Sequence, residues 1–211
     1  LSDEFAKEKL GLVQSQVHRI TKIIRDLVDF SRPSNYQIQP TDLVRTLADA
    51  VEIVKMGKKS KDVTFVTNVR RHIPILPLVP DQISQVFINI LLNAVDALKG
   101  KQGVITAEVG GDKENVRVTI SDNGSGILPE NMPKVFEPFF TTREIGSGTG
   151  LGLSVVHGIV ASHRGTIEVQ SAPDQGTTLR VYLPVSSLHD QATPALKLAA
   201  GLVLLSPSLP L

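Results

Sequence analysis

The chain has 211 residues, 41% of them hydrophobic and 20% charged, with a net charge of +1. That length suffices for one full globular domain plus an accessory element, and so even a charge argues against a nucleic-acid or membrane-surface protein driven by electrostatics. With no cysteine, disulfides, thiolate catalysis and Cys-ligated zinc are excluded, which fits a reducing compartment.

The first segment reads as a helix. Leu10, Val13, Val17, Ile20, Ile24 and Leu27 recur at alternating spacings of three and four, a heptad seam. Ile23 and Val28 widen it, which suits a helix facing several neighbours, as in a four-helix bundle. A helix lying on its own domain's core is the alternative. Ser31-Arg32-Pro33 ends it, because Pro33 disfavours the α conformation at the preceding residue. We expect residues 1–32 to be this bundle helix, 33–40 a linker, 41–186 the globular domain and 187–211 a tail, disordered or expression-derived. The tail is apolar from Ala195, yet Pro194, Pro207 and Pro210 bound a stretch well short of the roughly 20 residues that span a bilayer.

Within the domain, Thr41 or Asp42 can cap a helix with Leu43, Leu47, Ala50, Val51 and Val54 on its apolar face, stopping near Gly57. A strand from Val63 to Val69 precedes a longer helix from Pro80 to Leu98. Two alternating strands, Gly103 to Val109 and Asn115 to Ser121, flank a turn at Gly110-Gly111-Asp112. A short helix after Pro129, a glycine-rich stretch and a helix from Leu151 to Ser162 follow. A hairpin, Thr166 to Ser171 and Thr177 to Leu183, closes the domain. The order is not a regular βαβ alternation, so the expected fold is α+β: a two-layer sandwich, a mixed sheet of about five strands with three main helices on one face.

Three stretches carry the chemistry. The helix at Pro80 to Leu98 is apolar on most sides but crossed by Gln85, Asn89, Asn93 and Asp96, stacked on one face. Buried amides need partners, so the stripe calls for a polar network or a ligand. An Asn carbonyl oxygen is a hard, neutral donor suited to Mg²⁺; a solvated stripe is the plainer reading. Next, Asp122-Asn123-Gly124 has the composition of a turn. Yet Asp122 shares strand parity with inward-facing Val116, Val118 and Ile120, as Thr177 does with Leu179, Val181 and Leu183. An inward carboxylate is costly without a donor, and the exocyclic amino group of adenine is one. Gly124 and Gly126 would let backbone approach the base. Finally, the glycine-rich run Gly146 to Gly152 leads straight into a helix, where backbone N–H groups favour phosphate. It is neither a P-loop nor a dinucleotide fingerprint. Arg143, just before it, is a candidate phosphate contact.

Together these pieces resemble the catalytic, ATP-binding domain of bacterial sensor histidine kinases, within the wider ATPase group of gyrase, heat-shock chaperones and mismatch-repair proteins. The resemblance runs from Ser15 to Pro184. Asn89-Ile-Leu-Leu-Asn93-Ala looks like the family's N box, Asp122 to Gly126 its G1 box, Phe136 to Phe140 its F box and Gly148 to Leu153 its G2 box. Gly176-Thr177 matches the last glycine motif, and Asp96 is similar to the branch of nitrogen-regulation sensors. The resemblance implies Asn93 as Mg²⁺ ligand, Asp122 as adenine reader and Thr141 to Gly150 as a lid over the phosphates. It implies ATP contacts also from Asn89, Asp96, Gly124, Gly126, Ile127, Phe140, Thr141, Thr142 and Arg143. Gly148, Thr149, Gly150, Leu151, Gly152, Leu153 and Thr177 complete that set.

Residues 1–32 resemble the second helix of the family's dimerisation and phosphotransfer domain, whose first helix carries the phospho-accepting histidine before an acidic residue. Here only His189 has that neighbour, in the tail. The acceptor is therefore expected upstream of Leu1, in a fragment that does not autophosphorylate alone. The implied partners are ATP or ADP, that acceptor helix, a response regulator and a second copy in the full-length protein. The implied setting is the bacterial cytoplasm, with neither nucleic acid nor membrane contacted directly. ATP-hydrolysing members place a Glu where this chain has Asn89, and an amide cannot act as general base, which favours phosphotransfer over hydrolysis.

Overall fold

The computed structural model describes residues 5, 7, 9–14, 16, 17, 20, 21, 37–70, 73–98, 102–143 and 148–185. The second half of the heptad seam, the Ser31–Pro33 stop, Gly146 and the tail lie outside them. The described residues from 5 to 21 are helical, and Leu10, Val13, Val17 and Ile20 are all more than half exposed.

The domain begins with a short ladder, β1 (Gln39–Thr41) antiparallel to β3 (Leu76–Leu78). The sequence does not advertise it. Three-residue strands are too short to show a period, and Pro40 stands opposite Pro77, where prolines normally signal a break. Helix α1 (Leu43–Lys55) starts at Asp42, whose Oδ1 accepts from the N–H groups of Val44 and Arg45 at 2.9 and 3.1 Å. The five positions of its inner face, Leu43, Leu47, Ala50, Val51 and Val54, are all buried, the larger ones worth about 1.5–3 kcal/mol each. A 3₁₀ turn, Lys58–Ser60, leads into β2 (Val63–Val69).

Helix α2 (Pro80–Ala97) has proline at its first turn, where no N–H is needed. Then come β4 (Gly103–Gly111), β5 (Asn115–Asp122), a 3₁₀ segment (Pro129–Lys134), α3 (Gly152–Ser162), β6 (Thr166–Ser171) and β7 (Thr177–Pro184). The short helix expected after Pro129 is 3₁₀ because Pro133 lies inside it and has no N–H to give.

The main sheet has five strands in the order β2-β4-β5-β7-β6, with β2 parallel to β4 and every other pair antiparallel. The expected mixed five-stranded α+β sandwich is thus observed. Alternation places Ile105, Ala107, Val109, Val116, Val118, Ile120, Leu179, Val181 and Leu183 on one buried face. They form a single core with the buried faces of α1, α2 and α3. Asp122 ends the central strand, in register with Thr177 at the start of β7.

Candidate functional site

Two clusters border the C-terminal half of α2. In the first, the polar stripe of α2 is half-buried. Asn93 Oδ1 accepts from Arg143 Nη2 at 2.9 Å, and Arg143 Nη1 sits 2.6 Å from Asp96 Oδ2. The other oxygen of Asp96 is 2.6 Å from Lys59 Nζ, extended from the 3₁₀ turn after α1. Asn89 Nδ2 faces the Gly152 carbonyl at 3.5 Å, so the start of α3 lies beside the stripe. A Cβ on Gly152 would stand 3.7 Å from Asn93 Nδ2. No side chain caps α3 at Leu151, which leaves its first N–H groups for another acceptor. The Arg143 N–H donates to Thr141 Oγ1 at 3.2 Å, and a Cβ on Gly148 would fall 2.8 Å from that same oxygen.

In the second cluster, Asp122 Oδ1 accepts from the Gly124 N–H at 2.8 Å. Burial pushes the Asp122 carboxyl up from its ordinary value, while hydrogen bonds from the Gly124 and Thr177 backbones pull it down. A Cβ on Gly124 would lie 2.7 Å from Asp122 Oδ1 and 2.8 Å from the Ala97 backbone. That close approach joins the loop to the end of α2, helped by Ser125 N–H to Ala97 O at 3.1 Å. Gly126 and Gly176 take left-handed φ of +66° and +77°, and a Cβ would overlap the carbonyls of Ala172 and Asp122 respectively. Only glycine fits either place. Thr177 is 9% exposed, its Oγ1 2.9 Å from Ser171 Oγ. The Ile127 N–H also donates to Ser171 Oγ, at 2.9 Å.

Asn89, Asn93, Asp96, Thr141, Arg143, Gly148 and Gly152 therefore meet in one cluster. Asp122, Gly124, Gly126, Ile127 and Thr177 meet in the other. Leu151 is buried and Leu153 packs on the core, so at these two positions backbone, not side chain, faces the helix start. Phe140 is half-buried, with its N–H bonded to Glu137 O at 3.3 Å, and Thr142 is exposed. Thr149 is half-buried. Gly150 accepts from the Phe139 N–H at 3.0 Å, and Phe139 holds a left-handed φ of 68°, uncommon for an aromatic. Sequence reasoning missed Lys59 and Ser171. Neither lies in a glycine or asparagine motif; Ser171's parity with Ile127's loop is visible only once β6 and β7 pair.

Residues 78–187 match the family profile described as histidine kinase-, DNA gyrase B- and HSP90-like ATPase. The chain belongs to that ATPase family. ATP binding follows from that membership. Family relatives include the sensor histidine kinase ZraS of Escherichia coli K12, 31% identical over 86% of this chain and 38% of that protein. The histidine-protein kinase AtoS of the same strain is 33% identical over 90% of this chain and 31% of its own length. The chain thus spans under two fifths of these curated relatives. Among solved structures, the mycobacterial sensor histidine kinase MprB aligns at TM-score 0.62 and 26% identity, covering 71% of this chain and all of that one. The catalytic domain of the histidine kinase ThkA aligns at TM-score 0.63 and 26% identity, covering 70% and 95%. No helix among the described residues is long and apolar enough to cross a membrane.

A divalent cation such as Mg²⁺ carried by ATP would meet a donor set that suits it. Asn93 Oδ1 and Asp96 Oδ2 are hard oxygens that already share a cationic group, the Arg143 guanidinium.

Proposed function

We propose that this chain is the ATP-binding, catalytic part of a cytoplasmic two-component sensor histidine kinase. It binds Mg·ATP and transfers the γ-phosphoryl group to a histidine on a separate helix, for relay to an aspartate of a response regulator. The observation that carries this reading is Asn89. It occupies the stripe one turn before Asn93 and turns its amide N–H toward the Gly152 carbonyl. An amide in that place cannot take a proton from water, so the site is built to position a nucleophile that needs no base.

Residue roles follow from the two clusters. Asp122 and Thr177 meet the adenine, with Gly124, Gly126 and Ile127 forming backbone walls. The backbone N–H groups at the start of α3, which no side chain caps, face the phosphates together with the Gly148 to Leu153 backbone, with Arg143 as their cation and Thr141, Thr142, Thr149 and Phe140 along the same loop. Asn93, with Asp96 beside it, holds Mg²⁺, which when bound neutralises phosphate charge. A histidine nitrogen attacks the γ-phosphorus, the bond to the β-phosphate oxygen breaks and ADP leaves. The chain contributes alignment and fixed charge. The exposed seam of Leu10, Val13, Val17 and Ile20 supports pairing of the N-terminal helices in a homodimer, with 33–40 as linker and 41–186 as the catalytic unit.

The test is transfer in trans. A separately produced acceptor-helix segment from a sensor histidine kinase, mixed with the 211-residue chain and γ-labelled ATP, should gain acid-labile, base-stable phosphate. An unlabelled acceptor alongside normal ADP binding would count against kinase function, and steady ATP hydrolysis by the chain alone would favour an ATPase.

A further inference from the structure

Ser171 belongs to no motif of the site, yet its hydroxyl touches three elements of it. Ser171 Oγ lies 2.8 Å from the Gly176 carbonyl, 2.9 Å from the Ile127 N–H nitrogen and 2.9 Å from Thr177 Oγ1. A hydroxyl has one hydrogen to give and two lone pairs. The Gly176 carbonyl only accepts, so Ser171's hydrogen goes there. The Ile127 N–H only donates, so it takes one Ser171 lone pair. The remaining contact must then be donated by Thr177, whose single hydrogen points at Ser171. Thr177 Oγ1 can offer a ligand only lone pairs. Its register partner Asp122, holding the N–H groups of Gly124 and Thr177, is likewise an acceptor.

Two neighbouring acceptors welcome a donor and repel a carbonyl. We propose that Ser171 is a positioning residue for base specificity: by fixing the hydrogen of Thr177 it makes the site select a 6-amino purine over a 6-oxo purine. This rests on the reading that Asp122 and Thr177 face the base. In a nucleotide site such discrimination is strong when it leaves paired polar groups unmatched.

Calorimetry of the 211-residue chain with ADP and with inosine diphosphate tests it. Wild type should prefer ADP. Ser171→Ala frees the Thr177 hydroxyl to donate to a 6-oxo group, so the ADP:IDP preference should fall roughly five- to tenfold, the worth of one neutral hydrogen bond. Ser171→Thr, which keeps the hydroxyl, should retain the preference. Equal weakening of both nucleotides would mark Ser171 as merely structural and overturn the proposal. If Ser171→Ala does not fold, Ser171→Val, which also removes the hydroxyl and is the matched control for Ser171→Thr, supplies the same comparison, and an unchanged ratio there overturns it too. Asp122→Asn separates the underlying reading: wild-type ADP affinity in that variant removes base recognition from this cluster altogether, and the Ser171 proposal with it.

Discussion

The amide oxygen of Asn93 accepts from Arg143 at 2.9 Å, so the cation nearest that oxygen is one of the chain's own. The same guanidinium bridges to Asp96 Oδ2. Arg143 takes one of that oxygen's two lone pairs and sets a positive charge beside the other, so it competes with a metal there. Arg143→Gln should lower the Mg²⁺ concentration needed to enhance ADP binding several-fold, since a charge-assisted bond worth about 1.5–3 kcal/mol in full burial, less at this half-exposed position, no longer has to be broken. A Mg²⁺ titration with calorimetric readout checks it; an unchanged midpoint rules out the competition.

Lys59 acts on the other oxygen of Asp96. Its ammonium is largely exposed, so the pair adds little stability, about 0–1 kcal/mol. Its effect should appear with the polyphosphate. Lys59→Met leaves Asp96 less neutralised, so ATP and ADP should bind more weakly while adenosine binds as before. Restoring affinity by Asp96→Asn in the same background would establish the charge origin; loss of adenosine binding would refute it.

Asp122 trades stability for recognition. Its native carboxyl is raised above the ordinary 3.8 by burial. A raised carboxyl binds its proton more tightly when folded, so folding loses stability as pH rises through that native value. Asp122→Asn should therefore raise the melting temperature of the ligand-free chain at pH 7, a gain that disappears below about pH 3.8. The same change should weaken ADP binding by about 1.5–3 kcal/mol, through loss of a charged acceptor. Thermal melts and calorimetry on one preparation read both; a variant less stable than wild type at pH 7 contradicts the first half.

His163 makes the domain acid-sensitive. It is 2% exposed, and its Nε2 accepts from the Val79 N–H at 3.1 Å, tying the end of α3 to the start of α2. Nδ1 lies 2.9 Å from the Ile159 carbonyl, which fixes the neutral tautomer with hydrogen on Nδ1. Burial holds this imidazole below 6.5. The native state thus resists a proton that the unfolded chain accepts, so stability is full above about pH 6.5 and falls as pH drops toward the native value. Urea melts at pH 7.5 and 5.5 should diverge in wild type, and that divergence should shrink in His163→Gln. Equal pH dependence in both proteins would clear His163 of the effect.

Much of this architecture is legible in the residues. The five positions read as the inner face of α1 are all buried because a capped, strongly periodic helix leaves no ambiguity about that face. Strand parity put Asp122 and Thr177 on the inward side, where they now lie in register. What escaped reading depends on contacts distant in sequence. Lys59 reaches Asp96 across 37 residues, and Ser171 meets Ile127 across 44. Exposed lysines and strand-end serines are common, and nothing in their neighbours marks these two. The Pro40–Pro77 ladder was hidden for the opposite reason, since its local chemistry argued against a strand.

The lone parallel pairing in the sheet has a kinetic consequence. Val63 sits beside Gly103 in β2 and β4, and the chain between them includes all of α2, the helix bearing Asn89, Asn93 and Asp96. Those side chains cannot come into place through any local hairpin; a long loop must close first, the slow kind of step in a chain rich in distant contacts. Ligand affinity is thereby a late reporter of maturation. A chain that holds nucleotide has already finished its topology, and nucleotide in turn favours that finished state by mass action.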